Sequence, residues 1–281
     1  MRSITYTSDN GRSIQFNGWL PYYLSEIDLN SVGANFDEYK PIGYDGSKVQ
    51  GESYNAKPIL ASGTIVSTSK QNLSQMRQNL AETMSIHYEG WISVTLLNGQ
   101  TWKIRARPTQ NPTFQKPVGL GQPFSLEWRC DSPYWLKDPQ TVVKIGQIEG
   151  LWRFPFHAPV VFGQAVGNVE VLNSSVEEVP VTIEILSQAT KILITNETNG
   201  QTLEVAELIA EGQKMVLDSN TCDISIVDIY SGAHKDATNK LVAGSQFITL
   251  APGKNKIVLD NGIPDSIPLA YIRFYEHSLG V

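Results

Sequence analysis

Cysteine, histidine, basic charge and long apolar runs are all scarce in this 281-residue chain. Two cysteines, Cys130 and Cys222, lie one in each half, which excludes a disulfide framework; both are expected as free thiols. The four histidines, His87, His157, His234 and His277, never fall at a metal-ligand spacing, and no cysteine stands within three residues of a histidine, so no metal and no cofactor site is expected. No apolar run approaches the length of a membrane span, and the N-terminus reaches Ser8-Asp9-Asn10-Gly11 too soon to hold the apolar core of a signal peptide. Synthesis in a cytoplasm without membrane insertion is the expectation. Lys and Arg total 22 against 28 Asp and Glu, a net charge of −6, and the cations are scattered; sequence-specific nucleic-acid binding is disfavoured.

Catalytic patterns are lacking too. The chain has no Gly-x-Ser-x-Gly elbow, no phosphate-cradling Gly-x-x-x-x-Gly-Lys loop and no His-Glu-x-x-His pair. Cys130 with His87 or His157 is a formal dyad, but Cys130 shares the apolar face of an alternating strand with Phe124, Leu126 and Trp128, where a cysteine acts as a small buried hydrophobe. Glu177-Glu178 precede Pro180 on a loop, so they read as a solvated edge and not as facing acids of a glycosidase. No enzymatic activity is expected.

What is present is a seam. Before Cys130-Asp131-Ser132-Pro133-Tyr134-Trp135 the chain holds a helix and hairpins; after it comes a series of short strands. The expected division is a domain over 1–136 and a second over 137–281, with 137–151 as the connection. In the first, Ile4–Thr7 and Ser13–Phe16 read as a hairpin turning at Asn10-Gly11. Residues 31–56 are glycine-punctuated, polar and aperiodic, longer than ordinary loops, and so a candidate projecting arm. At its centre, Pro41-Ile42-Gly43-Tyr44-Asp45-Gly46 is a candidate subunit-contact element, because an extended arm gains order by packing on a neighbour.

After an apolar stretch over 58–66, Leu73, Met76, Leu80 and Met84 recur at three and four residues, predicting a helix over about 69–84. Thr68 and Gln71 have capping-box spacing. Trp91–Leu97 and Gln100–Arg105 form a second hairpin about Asn98-Gly99, expected as a two-residue turn, and Phe124–Cys130 adds a further strand.

In the second half, strands are expected at 169–172, 179–186, 191–195, 201–205, 214–218, 222–227, 246–250, 256–259 and 269–275, the spacing of a β-sandwich. Trp152, Phe154, Phe156 and Phe162, with Pro155 and Pro159, form an aromatic cluster that fits inter-sheet packing better than a sugar platform.

In this order, the segments at 41–46, 57–66 with the helix, 91–105, 124–135, 152–156, 167–171, 179–183, 198–203, 217–218, 250–255 and 271–281 resemble the distal tail proteins of long-tailed siphophages and prophages. Ser174-Ser175 depart from that pattern, where a glycine is expected after Asn173. The resemblance implies a mainly β chain: an N-terminal split β-barrel with one helix and an arm, or belt, that embraces a neighbour, then a galectin-like C-terminal β-sandwich. It implies a structural component of the virion's distal tail tip, a homo-hexameric ring acting as baseplate platform, with a channel for DNA. Its expected partners are the major tail tube protein, the tail-associated hub protein, the tape-measure protein, and a receptor-binding protein or side fibre. A carbohydrate-binding adsorption module and a tail-associated cell-wall hydrolase are the alternatives from other classes.

Overall fold

The computed structural model describes residues 3–16, 20–43, 45–149, 164–264 and 266–281. It divides into two compact units, Met1–Asp138 with Ser278–Val281, and Pro139–His277. The division expected from sequence differs from this at the C-terminus, because the last four residues belong to the first unit. Long-range bonds draw them there: Val281 N donates to Asn30 Oδ1 at 3.0 Å and Lys57 Nζ to Leu279 O at 2.6 Å.

The first unit contains β1 (Ser3–Ser8), β2 (Ser13–Phe16), β3 (Tyr22–Asp28), β4 (Ala34–Tyr39), β5 (Lys48–Tyr54), β6 (Lys57–Val66), α1 (Lys70–Thr83), β7 (Gly90–Thr95), β8 (Thr101–Pro108), β9 (Thr113–Phe114), β10 (Gly121–Cys130) and β11 (Trp135–Asp138). Its main sheet runs β2-β1-β7-β8-β10-β6-β3. Laid flat, six inter-strand spacings would separate β2 from β3 by roughly 29 Å. Instead Phe16 on β2 meets Tyr22 on β3 with ring centroids 6.2 Å apart, and also meets Phe124 at 6.2 Å and Trp128 at 6.4 Å. The sheet therefore curls around an aromatic core, split where β2 and β3 meet. Strand β8 makes the corner: its first residues pair with β11 and its last, Arg107 and Pro108, with β10.

The hairpin about Asn98-Gly99 turns differently from the expected two-residue form, and the one about Asn10-Gly11 turns in the same way. Ser8 N bonds Arg12 O and Leu96 N bonds Gln100 O, enclosing three residues each, with Gly11 (φ +83°) and Gly99 (φ +81°) left-handed in third place. A type I turn closed by a left-handed glycine suits the strand twist as well as the two-residue turn does. The helix follows its predicted stripe, with Leu73, Leu80 and Met84 buried and Met76 packed on the core. Its cap is Ser69, whose Oγ accepts from Asn72 N at 3.2 Å, and not the expected Thr68. Tyr22 OH donates to Met76 O at 3.2 Å, tying α1 to β3.

The second unit comprises β12 (Thr141–Ile145), β13 (Gln147–Glu149), β14 (Gln164–Val166), β15 (Asn168–Asn173), β16 (Val179–Pro180), β17 (Thr182–Ile185), β18 (Ile192–Asn196), β19 (Gln201–Val205), β20 (Gln213–Asp218), β21 (Asp223–Asp228), β22 (His234–Asp236), β23 (Thr249–Leu250), β24 (Gly253–Asp260) and β25 (Ala270–Phe274). A six-stranded sheet, β12-β25-β17-β20-β21-β22, and a four-stranded sheet, β15-β24-β18-β19, share one core. Val171, Ile194, Leu203 and Ile257 enter it from one sheet, and Ile183, Met215, Leu217 and Ile272 from the other. That is a β-sandwich.

The single strand expected at 179–186 is two. Pro180 lacks an N–H, so β16 ends there and pairs with β23, while β17 joins the large sheet. Val179, Val181, Ile183 and Ile185 nonetheless all point inward. The expected connection over 137–151 also holds a strand, β12, paired with β25 from Thr141↔Phe274 to Ile145↔Ala270. Its burial alternates, with Val143 packed on the core and Ile145 buried while Val142 and Lys144 are exposed, but valine on both faces of so short a strand blurs the period.

Candidate assembly surfaces

The arm of the sequence reading is an ordered hairpin. Strands β4 and β5 pair antiparallel from Ala34↔Tyr54 to Tyr39↔Lys48, with a bulge between Asp37 and Glu38, in a sheet of two strands. Its base is fixed by Asp28, whose Oδ1 accepts from Asn30 N and Ser31 N at 3.1 Å each. The Ser31 hydroxyl, then these two amides, hold the Asp28 carboxyl below the usual carboxylate range. Asn55 N to Gly33 O, at 2.8 Å, closes the return strand.

Almost every residue of the hairpin is exposed, on both faces. Phe36, Tyr39, Val49 and Tyr54 are about half exposed and Ile42 at the tip wholly so. Isolated two-stranded hairpins are marginal in water, and clustered exposed apolar side chains mark contact surfaces. Tyr54 is steadied by an edge-on contact with Tyr134, ring centroids 6.2 Å apart. Of the predicted contact element, Pro41, Ile42, Gly43, Asp45 and Gly46 form the tip, with Gly43 (φ +80°) and Gly46 (φ +91°) left-handed in open space; Tyr44 lies outside the described residues. The sequence reading missed the strand pairing because a hairpin with no buried face has no period-2 alternation.

On the outer side of β7 and β8, Lys103 Nζ and Arg105 Cζ each lie 5.3 Å from the Trp91 ring centroid. These cations are spoken for. Arg105 pairs with Asp9 and Glu89, Arg107 with Glu89, and Lys103 with Asp138 at 2.9 Å. Arg107, and after it Arg105, draws the Glu89 carboxyl below its ordinary range. Neutralised in this way, the strip offers no basic field for a phosphate backbone.

The chemistry-bearing residues stay apart. Cys130 is fully buried, and desolvation pushes its thiol up to about 12, so a thiolate nucleophile is not available and the Cys130–His87 dyad is not formed. Cys222 is exposed at φ +59° in the β20–β21 turn. Glu178 is an exposed loop residue accepting from Thr249 Oγ1, and Glu177 serves through its carbonyl, which accepts from Asn173 Nδ2. Among the described residues no group of three His, Cys, Asp or Glu is placed to hold a metal, and no helix is long and apolar enough to cross a membrane. His157 and the aromatics Trp152, Phe154, Phe156 and Phe162 lie outside the described residues.

Residues 160–273 match the family of siphovirus-type tail components, C-terminal domain, SPP1_Dit. Over these residues the second unit is similar to Dit tail components. The fold is shared along the whole chain with the Dit protein (gp 19.1) of phage SPP1, a hub adsorption-apparatus protein of phages infecting Gram-positive bacteria: TM-score 0.70 at 14% identity, over 98% of this chain and 99% of that one. It is shared also with a chain of the activated phage P2 baseplate with calcium, TM-score 0.59 at 9% identity, over the full length of both, and with its strontium counterpart, TM-score 0.58. No curated protein sequence matches the chain. At such low identity what these structures share with the chain is a fold.

Proposed function

We propose that this protein is a structural component of a long-tailed phage or prophage, the ring at the distal end of the tail. Six copies close head-to-tail through the first unit. The β4–β5 hairpin of each copy lies on its neighbour, with Ile42 and the residues around it as the contact. The ring joins the tail tube to the tail-associated hub protein, leaves a channel for the tape-measure protein and DNA, and carries the second unit as a platform for a receptor-binding protein or side fibre.

The observation that carries this reading is an exposed, apolar, ordered hairpin on a fold shared end to end with phage hub proteins. A cyclic ring needs heterologous contacts, one surface on each copy meeting a different one on the next, and a projecting hairpin supplies the first of the two. Burying side chains such as Phe36 or Ile42 is worth about 1.5–3 kcal/mol each, so a few suffice to drive closure. Internally paired cations and a net charge of −6 suit a wall past which DNA must slide.

The test is solution mass by light scattering over a concentration series, with negative-stain images, alone and with the tube and hub proteins. A six-fold ring with a central hole is expected. A monomer under all these conditions overturns the proposal.

A further inference from the structure

Among the described residues of the first unit, Lys57 is a buried cation whose hydrogen-bond acceptor lies more than two hundred positions further along the chain. Lys57 opens β6 opposite Cys130, its side chain fully buried. Its Nζ lies 5.8 Å from the Trp135 ring centroid and donates to Leu279 O at 2.6 Å. Burial pulls the ammonium below its ordinary range, while Cys130 and Asp28 act in the opposite sense. Residues 278–281 are seated by more than this bond. Val281 N donates to Asn30 Oδ1 at 3.0 Å, the Val281 side chain packs on the core, and Gly280 sits so close that a Cβ there would fall 2.9 Å from Asn30 Oδ1. Ser278 Oγ donates to Gly280 O at 2.6 Å, folding the segment on itself.

We propose that residues 278–281 are a strap that completes the first unit, with Lys57 as the residue that makes completion depend on it. A buried ammonium that loses its acceptor is strongly disfavoured and is relieved by letting water in or by giving up its proton, so without the strap the Lys57 end of the β6–β10 ladder opens. The chain leaves the first unit at Asp138 and re-enters it at Ser278, with the whole second unit between. The unit synthesised first therefore closes last. In a protein that self-associates through that unit, this order keeps incomplete chains out of the assembly; this consequence alone rests on the ring reading.

The test is hydrogen exchange read by mass spectrometry on four chains: the full chain, a chain lacking 278–281, and both again with Lys57→Met. Deletion is expected to speed exchange at 57–60 and 128–130 about tenfold or more, leaving 182–185 and 215–218 in the second unit unchanged. In the Lys57→Met background, where no charge needs an acceptor, the same deletion is expected to cost less than about threefold. Full-length Gly280→Val, which crowds the Asn30 side chain that holds Val281 N, is expected to speed exchange at the same segments by less than the deletion, and stands in for it if the deletion does not fold. Equal acceleration in both backgrounds, no acceleration in either, or unfolding of the first unit by Lys57→Met alone overturns the proposal. None of these readings depends on whether rings form.

Discussion

Phe124 stands directly across the β6–β10 ladder from Gly63, and its ring folds over the glycine: a Cβ at Gly63 would fall 2.7 Å from Phe124 Cζ and 2.3 Å from the Tyr23 carbonyl oxygen. The same ring reaches Phe16 on the strand at the far end of the sheet path, so the bare backbone at Gly63 lets the sheet curl tightly.

Gly63→Ala is therefore expected to destabilise the first unit by about 1–3 kcal/mol, since the backbone carbonyl cannot swing aside as a side chain can. Gly99→Ala, with nothing within 4 Å but a φ of +81°, is expected to cost about 1 kcal/mol for its left-handed backbone alone. Denaturant titration of both variants against the parent checks the order; a smaller loss at Gly63 than at Gly99 contradicts it.

Asn255 is the polar centre of the second unit. Its Oδ1 accepts from Ala251 N at 2.9 Å and from Asn196 Nδ2 at 3.1 Å, while its own Nδ2 donates to Ala251 O at 2.7 Å and Gly253 O at 3.1 Å. Both asparagines are fully buried. Asn255→Ala removes the side-chain partner of Ala251 N and one of the two acceptors of Asn196 Nδ2, which keeps Thr249 O, and is expected to cost about 2–4 kcal/mol, read as a lowered unfolding midpoint of the second unit. An Asn255→Ala protein with an unchanged midpoint would mean that water replaces the amide at no cost.

The two thiols are expected to differ sharply in reactivity. At pH 8 an aromatic disulfide reagent should titrate one thiol per native chain, none in Cys222→Ser, and two in the denatured parent, because Cys222 is exposed and Cys130 is not. Rapid modification of Cys130 in the native protein would contradict its placement in the core.

Cys130 also predicts an alkaline limit. Its folded pKa, about 12, lies above the ordinary value of 9.0, so its contribution is complete below about pH 9 and is lost as pH rises toward 12. By pH 10, one unit beyond the unfolded value, the loss is on the order of 1 kcal/mol. Lys57, whose pKa is lowered, titrates with the opposite sign, and for that reason the comparison is with Cys130→Val, which keeps Lys57. The parent should lose stability relative to Cys130→Val between pH 9 and 11; parallel curves would refute it.

Ile42→Asp is expected to leave the unfolding midpoint within about 0.5 kcal/mol of the parent, since the side chain is fully exposed. Under the ring proposal the same substitution abolishes the assembled species in light scattering. An unaltered assembly would place the subunit contact elsewhere.

What could be read in the sequence was local and periodic. The Leu73–Met84 stripe, the Asn-Gly turns and the inward run Val179, Val181, Ile183 and Ile185 each carry their structure in a few consecutive residues, because burial of one face imposes a period of 3.6 or 2. The mainly β class was legible on the same ground. Tertiary structure decided what no local pattern encodes. The hairpin at 34–54 shows no alternation, because it buries neither face. Strand β12 pairs with β25 from far along the chain, and Pro180 passes the chain from one sheet to another. Lys57 reads as a surface residue until Leu279, 222 positions away, supplies the carbonyl that lets it stay inside.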